Sequence, residues 1–433
     1  MLKKFNCKKV VTVFVLVILC FNMMNVLVWK WNATVNQRAV SYKPTINWAQ
    51  EYPFAKTSNA APAPAVPAQK NSFLHSFVQK LRNKSSSIQK QENVLETNCI
   101  YQLFAFHPLV ELNGFVNSKC GRMIYPNQEV FQLNNGYWAF TKTPLSASST
   151  KHTADNIAGL SQFCSGKKIP FLYVQCPDKT CKYDPEMPNG AEDCTNENYD
   201  ALLAELQKRS IPSFDLRDQI HAENLNHYGM FYRTDHHWKV ETGLWAASEI
   251  SRKLNDSYGC KLDAAKTNAA DYQKQVYKDW FLGSAGRRVS LGCAQPEDFT
   301  LMLPKFSTQL QLEVPNMDIC KTGKFEDVIY NQETLKSKDY YNLSCYESQL
   351  YGNQPLTKVT NKKNPNGQKI LVLGDSFSLA LVPYLSLTSR ETDLIDFRRG
   401  QGNFTGSIRN FINTEKPDIV LLTYQPGSDY SFQ

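Results

Sequence analysis

The first 31 residues contain no Asp or Glu, and this absence accounts for most of the chain's basic character. The 433 residues carry a formal net charge of +8, and five of these charges are Lys3, Lys4, Lys8, Lys9 and Lys30. The rest of the chain therefore has a net charge of only +3. A nucleic-acid binder would instead cluster many Lys and Arg residues along one stripe, so this class of function is not indicated.

The chain also has no internal repeat, and it is not dominated by glycine or proline. It is 42% hydrophobic and 20% charged, with 20 glycines and 21 prolines. This composition excludes a wholly disordered or collagen-like chain. Its length fits one large domain or two ordinary ones, with enough apolar residues for a core.

Residues 10–29 form a 20-residue stretch without a charged side chain. At the rise of a helix, this length matches the hydrocarbon core of a bilayer. The lysines that precede it place residues 1–9 in the cytoplasm by the positive-inside rule. A cleaved signal peptide is the alternative, but Trp29-Lys-Trp31 follows in place of a small-x-small cleavage site. We therefore predict a single-pass signal anchor in the cell membrane, with everything beyond it outside the cytoplasm.

Residues 30–95 are predicted to be a tether and stalk. The run Asn59–Ala68 is rich in proline and alanine and has no apolar period. Such a segment is an extended, semi-rigid spacer. From about residue 96 the pattern becomes globular, and we predict one catalytic domain over residues 96–433.

The sequence contains 12 cysteines. Cys7 and Cys20 lie in or beside the apolar segment, and ten more follow. An even number in an oxidising compartment predicts up to five disulfides, whose pairing the sequence does not specify. Cys176-x4-Cys181 has the form of half a zinc site, but no Cys/His pair with finger spacing follows, so no metal or cofactor is predicted. The ten are Cys99, Cys120, Cys164, Cys176, Cys181, Cys194, Cys260, Cys293, Cys320 and Cys345.

Strands and helices are predicted to alternate over most of the globular part. Short apolar runs indicate buried strands, and apolar residues three or four apart indicate helices. This alternation favours an α/β sandwich with a mostly parallel sheet. Residues 255–365 are irregular and are predicted to be a Cys-containing insertion. The predicted strands are 169–175, 211–216, 369–373, 394–397 and 418–424, and the predicted helices are 153–166, 199–209, 239–254, 376–387 and 408–413.

The motif Gly374-Asp-Ser-Phe377 comes directly after one of these buried strands and before a helix. A strand-to-helix turn exposes a side chain at the carboxyl edge of the sheet and leaves backbone N–H groups free. Ser376 is therefore a candidate nucleophile, and its own N–H a candidate oxyanion donor. The alternative is that Ser376 only caps the helix.

The second motif is Arg233-Thr-Asp-His-His-Trp238. In an extended segment, residues two apart face the same side, so Asp235 and His237 project together and His236 points away. A carboxylate beside an imidazole fixes its tautomer, and the pair can activate a serine as general base. The alternatives are a metal pair and a satisfied surface cluster. For a metal, His221 and His227 are the only nearby histidines that could complete the site.

These two motifs together resemble the bacterial DHHW family, which is similar to the alginate O-acetylation proteins of the SGNH-hydrolase superfamily. The resemblance covers roughly residues 130–430. The chain departs from the family pattern in its many cysteines and in having no Asn block for a second oxyanion donor. Other blocks match in the same order: Pro177-Asp-Lys179, Tyr183-Asp-Pro-Glu-Met-Pro188, Asp215-Leu-Arg217, Phe231-Tyr-Arg233, Phe281-Leu-Gly-Ser284 and Asp396-Phe-Arg398.

The resemblance implies a flavodoxin-like α/β/α sandwich in which the acid and base precede the serine, as if the usual SGNH order were permuted. It implies Ser376 as nucleophile, His237 as general base and Asp235 as the acid that orients it. Gly283, Arg398 and Arg399 are candidates for oxyanion or substrate contacts by their order in the chain. Tyr424 is a candidate because it ends the last predicted strand, at the carboxyl edge where open α/β sheets bind ligands. Trp238 packs in the core or lines a sugar site, and both interpretations are open.

The anchor and the resemblance together indicate a membrane-anchored, extracytoplasmic O-acetyltransferase of cell-surface polysaccharide, of the SGNH serine type. The resemblance further implies a multi-pass membrane O-acyltransferase partner that supplies acetyl groups. A carbohydrate O-acetyl esterase with the same triad is the first alternative, because water can replace the sugar hydroxyl. A non-catalytic glycan-binding assembly component is the second.

Overall fold

In the computed structural model, the described residues are Cys20, Met23, 106–126, 129–396 and 407–426. The chain divides into two compact units, Met1–Asn113 and Gly114–Gln433. In the first unit the described residues are helical, and the predictions for the tail, anchor and tether otherwise lie outside the described residues. Across the parts of the chain that are described, no helix is both long and apolar enough to span a bilayer.

Among the described residues, a helix lies at each of the five positions predicted from apolar periodicity, and five further helices were not predicted. Helix α5 carries its apolar side chains three or four residues apart and ends at Gly259, whose φ of 65° is left-handed. The helices are α1 (Phe106–Lys119), α2 (Ala147–Gly166), α3 (Thr195–Lys208), α4 (Leu216–Ala222), α5 (Val240–Tyr258), α6 (Ser284–Val289), α7 (Phe325–Ile329), α8 (Gln332–Lys336), α9 (Ser378–Thr388) and α10 (Ile408–Glu415).

The strands form one large sheet and two small ones. The large sheet has eight strands in the order β5-β4-β13-β11-β12-β10-β8-β9, β1 to β3 form a three-stranded sheet, and β6 pairs with β7. The strands are β1 (Ile124–Tyr125), β2 (Val130–Gln132), β3 (Trp138–Phe140), β4 (Phe171–Gln175), β5 (Ser213–Asp215), β6 (Tyr272–Phe281), β7 (Glu297–Pro304), β8 (Leu310–Val314), β9 (Ile319–Gly323), β10 (Leu356–Asn361), β11 (Lys369–Leu373), β12 (Glu391–Ile395) and β13 (Ile419–Leu422).

Helices cover both faces of the large sheet. Alternate residues of β11 point to opposite faces: Ile370 and Val372 join one hydrophobic core, Leu371 and Leu373 the other. The first core is completed by α5 and α9, and the second by α2, α3 and α10. Every residue of β4, β11 and β13 is buried. Burial on both faces explains why these strands are apolar throughout instead of alternating.

The sheet is mixed, so the prediction of a mostly parallel sheet is confirmed only in part. Strands β5, β4, β13, β11 and β12 run parallel, whereas β10, β8 and β9 continue the sheet in antiparallel fashion. The antiparallel strands β8 and β10 alternate between buried and half-buried residues. Such strands bury one face more than the other, so polar and apolar residues alternate along them. No continuous apolar run therefore identifies them in the sequence.

Residues 255–365, predicted to be an irregular insertion, supply much of this antiparallel structure. They contain β8, β9 and β10, and they also contain the ribbon of β6 and β7. The ribbon pairs Phe281 with Glu297 at one end. The residues that follow Phe281, and Glu297 itself, contact the loop of residues 233–237.

Two helices that follow the sequence motifs pack closely against each other. Helix α5 begins three residues after His237, and α9 begins two residues after Ser376. A Cβ atom built on Gly243 of α5 would lie 2.1 Å from the carbonyl oxygen of Ala380 in α9. The absence of a side chain at Gly243 therefore lets the two helix backbones approach, and this approach brings the two motifs together.

The predicted disulfides are not supported, because each cysteine among the described residues is a free thiol. Cys164 packs in the core between the sheet and α2, and Cys176, Cys260 and Cys345 pack in the opposite core. Burial raises the pKa of the Cys164 thiol to about 12. These residues serve as small apolar side chains. An even count cannot reveal this, since pairing depends on where the sulfur atoms lie. Cys7 and Cys99 lie outside the described residues.

Candidate active site

Ser376 lies at the carboxyl end of β11, in the turn that leads into α9. The turn is held by Asp375, whose side chain accepts hydrogen bonds from the N–H groups of Phe377 (3.0 Å) and Gln425 (3.2 Å). A Cβ atom on Gly374 would lie 2.0 Å from Ser378 Oγ, so glycine is the residue that fits before Asp375. Within the described part of the chain, no hydrogen bond engages the Ser376 N–H, which leaves it available to an oxyanion.

The structure brings Asp235, His237 and Ser376 into one hydrogen-bonded chain. Ser376 Oγ lies 2.7 Å from His237 Nε2, and His237 Nδ1 lies 2.5 Å from Asp235 Oδ1. An ionised carboxylate only accepts hydrogen bonds, so Nδ1 carries the hydrogen and Nε2 is left to accept from the serine. This is the arrangement in which an imidazole can take the proton of an attacking hydroxyl.

Asp235 is held as an oriented anion. Its Oδ1 also accepts the N–H of His237 (2.9 Å), and its Oδ2 accepts the N–H of Ser284 (2.6 Å). Burial by itself raises the pKa of Asp235, but the neighbouring His237 and His236 and these hydrogen bonds outweigh it and hold the pKa well below the usual value. Both carboxylate oxygens are thus occupied, and the side chain cannot turn away from His237.

The backbone that carries the acid is fixed by Glu297 at the start of β7. Its carboxylate accepts the N–H of Arg233 (2.7 Å), the N–H of Thr234 (2.6 Å) and the hydroxyl of Thr234 (2.6 Å). The Thr234 hydroxyl oxygen in turn accepts the N–H of Gly283 (2.9 Å). The ribbon of β6 and β7 therefore positions the loop that presents Asp235.

Lys179 supports the same loop from below and is completely buried. Its ammonium group donates to the carbonyl oxygens of Tyr232 and Asp235. Burial lowers the pKa of Lys179 to about 8, against the opposing influence of Glu297, Asp235 and Asp178. This buried lysine therefore links the residue before the motif to the motif's acid, Asp235.

We expect the Lys179→Met variant to change how stability depends on pH. The unfolded chain binds more protons than the folded chain between about pH 8 and pH 10.5, the two pKa values of Lys179. Wild-type stability therefore gains about 1.4 kcal/mol per pH unit from this group as pH rises through that window. Urea unfolding of wild type and variant from pH 8 to pH 10 measures the difference.

The matched control is Lys151→Met, which removes an exposed lysine of α2. The stability difference between wild type and this control should not depend on pH in the same window. A constant difference for Lys179→Met would contradict the lowered pKa.

Two aromatic rings pack against His237. The ring of Tyr346 stacks on it at 4.1 Å with an interplanar angle of 12°, and the ring of His236 lies 3.7 Å away. The Tyr346 hydroxyl also donates to the carbonyl oxygen of Ser376 (3.1 Å). Tyr346 thus touches both the base and the nucleophile and limits the rotation of the imidazole.

His236 does not point away from His237, contrary to the expectation for an extended segment. Residues 233–237 form a bend and not a strand, and Phe231 and Trp238 bridge its two ends. The bend brings the two imidazole rings to 3.7 Å between their centroids. His236 Nδ1 lies 2.8 Å from Ser284 Oγ. The alternation of side chains along a strand therefore does not apply to residues 233–237.

The structure gives the remaining predicted site residues other surroundings. The Gly283 N–H is taken by Thr234, and a Cβ at Gly283 would lie 2.2 Å from Asp235 Cβ, so this glycine lets the two backbones touch. Trp238 is fully buried and donates to the carbonyl oxygen of Phe377 (3.0 Å), which makes it a core residue. Tyr424 is also buried, with its hydroxyl 3.1 Å from Asp396. Arg398 and Arg399 lie outside the described residues.

Four residues around the triad had no role in the sequence-based prediction. Lys179 and Ser284 lie in blocks that match the family pattern, and this was the only signal for them. Glu297 and Tyr346 lie in the region whose strands the sequence did not reveal, and nothing in their local pattern marks them.

Among the described residues, two groups of side chains have ligand atoms close enough to share a metal ion, within 4.8 Å of one another. In the first, Asp235, His236 and His237, both nitrogens of His237 and Nδ1 of His236 already have protein partners. In the second, Glu391, Asp393 and Glu415, the ammonium group of Lys369 lies among the carboxylates at 2.8, 3.0 and 2.5 Å. In both clusters, the protein's own groups therefore contact most of the ligand atoms.

The chain is similar to a known family in sequence and to known proteins in structure. Residues 136–310 match the family model described as an SGNH hydrolase-like domain, acetyltransferase AlgX. No curated protein matches the chain in sequence at a significant level. This family match and the structural neighbours together confirm the resemblance inferred from the two motifs.

Solved structures with the same fold include Bacillus cereus PatB1 with a sulfonyl adduct. It is 18% identical with a TM-score of 0.57, and the match covers 70% of this chain and 97% of that one. A DHHW family protein from Eubacterium siraeum is 16% identical with a TM-score of 0.53, covering 69% of this chain and 92% of that one. At these identities the likeness shows the fold, which is the predicted SGNH-hydrolase-like α/β fold.

Proposed function

We propose that the chain is a serine O-acetyltransferase that modifies cell-surface polysaccharide through Ser376, His237 and Asp235. The observation that carries this proposal is the hydrogen-bonded chain of the three side chains, with distances of 2.7 and 2.5 Å. The matched family model, described as an acetyltransferase domain, supports the choice of acetyl as the transferred group.

In the first half of the reaction, Ser376 Oγ attacks the carbonyl carbon of an acetyl donor while His237 Nε2 takes the hydroxyl proton. The negative charge that develops on the carbonyl oxygen is stabilised by the Ser376 N–H. When the donor's leaving group departs, His237 returns the proton to it. The product of this half is an acetyl ester of Ser376, and Asp235 stabilises the transient imidazolium throughout.

In the second half, a glycan hydroxyl attacks the acetyl-serine. His237 takes the proton of that hydroxyl and then passes it to Ser376 Oγ as the ester bond breaks. Acetyl is thereby transferred to the glycan, and the enzyme returns to its starting state. With water as the attacking group, the same steps release acetate, which is the esterase alternative.

The proposed location is the outer side of the cell membrane. The uncharged stretch 10–29 would anchor the chain, and the tether 30–95 would hold the catalytic domain away from the bilayer. A multi-pass membrane O-acyltransferase is the proposed partner, because acetyl groups must reach the outer face in an activated form.

The test is intact-mass spectrometry of the full chain in detergent after incubation with 4-nitrophenyl acetate. We expect an acetyl adduct that maps to Ser376 and is absent from the Ser376→Ala variant. The control Ser148→Ala removes an exposed serine of α2 and should keep the adduct. A folded wild-type chain without an adduct, or an adduct that survives in Ser376→Ala, would contradict the proposed nucleophile.

A further inference from the structure

His236 is the imidazole at this site that the mechanism above does not use. We propose that His236 binds a second hydroxyl of the acceptor, the one adjacent to the hydroxyl that is acetylated. The acceptor would then be a sugar with two neighbouring hydroxyl groups, and His236 would help to select it over water. This inference rests on the proposed function and names the acceptor class of the same site.

The two histidines of the motif present their Nε2 atoms on the same side. The Nδ1 atoms of His236 and His237 lie 3.7 and 2.5 Å from the same oxygen of Asp235. Their ring centroids are 3.7 Å apart. The ring planes are tilted by 37°. Because both Nδ1 atoms face one carboxylate oxygen, both Nε2 atoms, on the far side of each ring, point away from Asp235, and His237 Nε2 reaches Ser376.

His236 is the more accessible of the pair. Its side chain is 34% exposed, against 11% for His237. Its Nδ1 is engaged by Ser284 Oγ at 2.8 Å, whereas its Nε2 has no hydrogen-bond partner among the described residues. An oriented polar atom thus faces solvent directly beside the catalytic base.

The orientation of His236 is fixed by its neighbours. Ser284 is anchored by its own N–H to Asp235, and the ring of Phe140 meets the His236 ring edge-on at 5.5 Å. Loss of hydration and the adjacent His237 hold the pKa of His236 well below the usual value, so its ring is neutral. A neutral imidazole with one nitrogen bonded to a serine hydroxyl offers the other nitrogen to a hydroxyl group.

A vicinal diol fits this pair of nitrogens. One hydroxyl would donate to His237 Nε2 and attack the acetyl-serine, while its neighbour would bond to His236 Nε2. Water has no second hydroxyl and gains nothing from His236. The bond to His236 would therefore raise the rate of transfer to a diol relative to hydrolysis.

The test uses two small acceptors, ethylene glycol as a vicinal diol and ethanol as a single alcohol. The acetyl group is loaded onto the full chain from 4-nitrophenyl acetate, and the two acetyl products and acetate are quantified. We expect wild type to prefer the diol per hydroxyl group. We expect His236→Phe, which keeps a ring stacked on His237, to lower the ratio of diol transfer to ethanol transfer about 2- to 10-fold.

The acylation rate, followed as release of 4-nitrophenol in the initial burst, separates this role from a structural one. Any change in the acylation rate of His236→Phe is common to both acceptors and cancels in the ratio of diol transfer to ethanol transfer. His236→Gln should restore part of the diol preference. The control His152→Phe alters an exposed histidine of α2 and should leave every ratio unchanged.

Three results would overturn the inference: a wild type without diol preference, a wild type that transfers to neither alcohol, and a His236→Phe variant that keeps the wild-type ratio. A variant in which acylation and transfer fall equally would assign His236 a structural role instead. Failure of the proposed function is distinguishable, because wild type would then form no acetyl-serine at all.

Discussion

Replacing Asp235 with Asn should lower the rate of Ser376 acylation about 10⁴-fold, the loss observed when a triad acid becomes an amide. Both oxygens of Asp235 accept hydrogen bonds, from His237 and from the N–H of Ser284. The amide NH₂ of Asn must face one of these donors. If it faces His237, the imidazole takes the tautomer that cannot accept from Ser376; if it faces Ser284, two donors oppose each other.

The measurement is the burst rate of 4-nitrophenol release, together with a thermal melt that checks the fold. Asp155→Asn is the matched control, because it changes an exposed carboxylate of α2 that pairs with Arg209. This control should keep the wild-type rate. A loss below about tenfold in a folded Asp235→Asn variant would mean that Asp235 is not the group that orients His237.

The second large effect is expected at Gly243, far from any substrate. A Cβ there would lie 2.1 Å from the carbonyl oxygen of Ala380 and 2.5 Å from its carbon, both backbone atoms that cannot turn aside. Gly243→Ala must push α5 away from α9. We expect the free energy of unfolding to fall by roughly 3 kcal/mol, the upper end of the usual cost of overpacking.

Gly243→Ala should also slow acylation, because α5 follows His237 and α9 follows Ser376. Urea unfolding and the 4-nitrophenol burst measure the two effects in one preparation. Gly166→Ala is the control: the Cβ meets no atom within 4 Å at the end of α2. It should leave stability unchanged or slightly higher. Equal stability of the two variants would contradict the close approach of α5 and α9.

Much of the parallel half of the fold could be predicted from the sequence, and the antiparallel half could not. Strand 369–373 coincides with β11, and the predicted helix 239–254 overlaps α5 from residue 240 onward. Both carry strong local patterns, a short continuous apolar run and an apolar stripe. In β8 and β10 buried and half-buried residues alternate, and β9 is largely exposed, so these strands have no continuous apolar run. The region 255–365 remained unassigned for this reason.

The candidate site likewise contains residues that could be predicted from the sequence and residues that could not. The motif residues Asp235, His237 and Ser376 were named from the sequence because chemistry restricts which residue types can follow a strand or flank an imidazole. Tyr346 and Glu297 could not be named, because their roles arise only from contacts between segments distant in the chain. The expectation for His236 was wrong because it assumed an extended backbone where the chain bends.

The sequence by itself determined the buried strands, the helices that cover them and the three residue types of the triad, since each depends on neighbours within a few positions. Tertiary structure alone decided the distances between them. His237 and Ser376 are 139 residues apart and meet at 2.7 Å because α5 and α9 touch at Gly243. The free cysteines and the mixed sheet were decided at that level too, because packing sets which sulfur atoms and which strand edges meet.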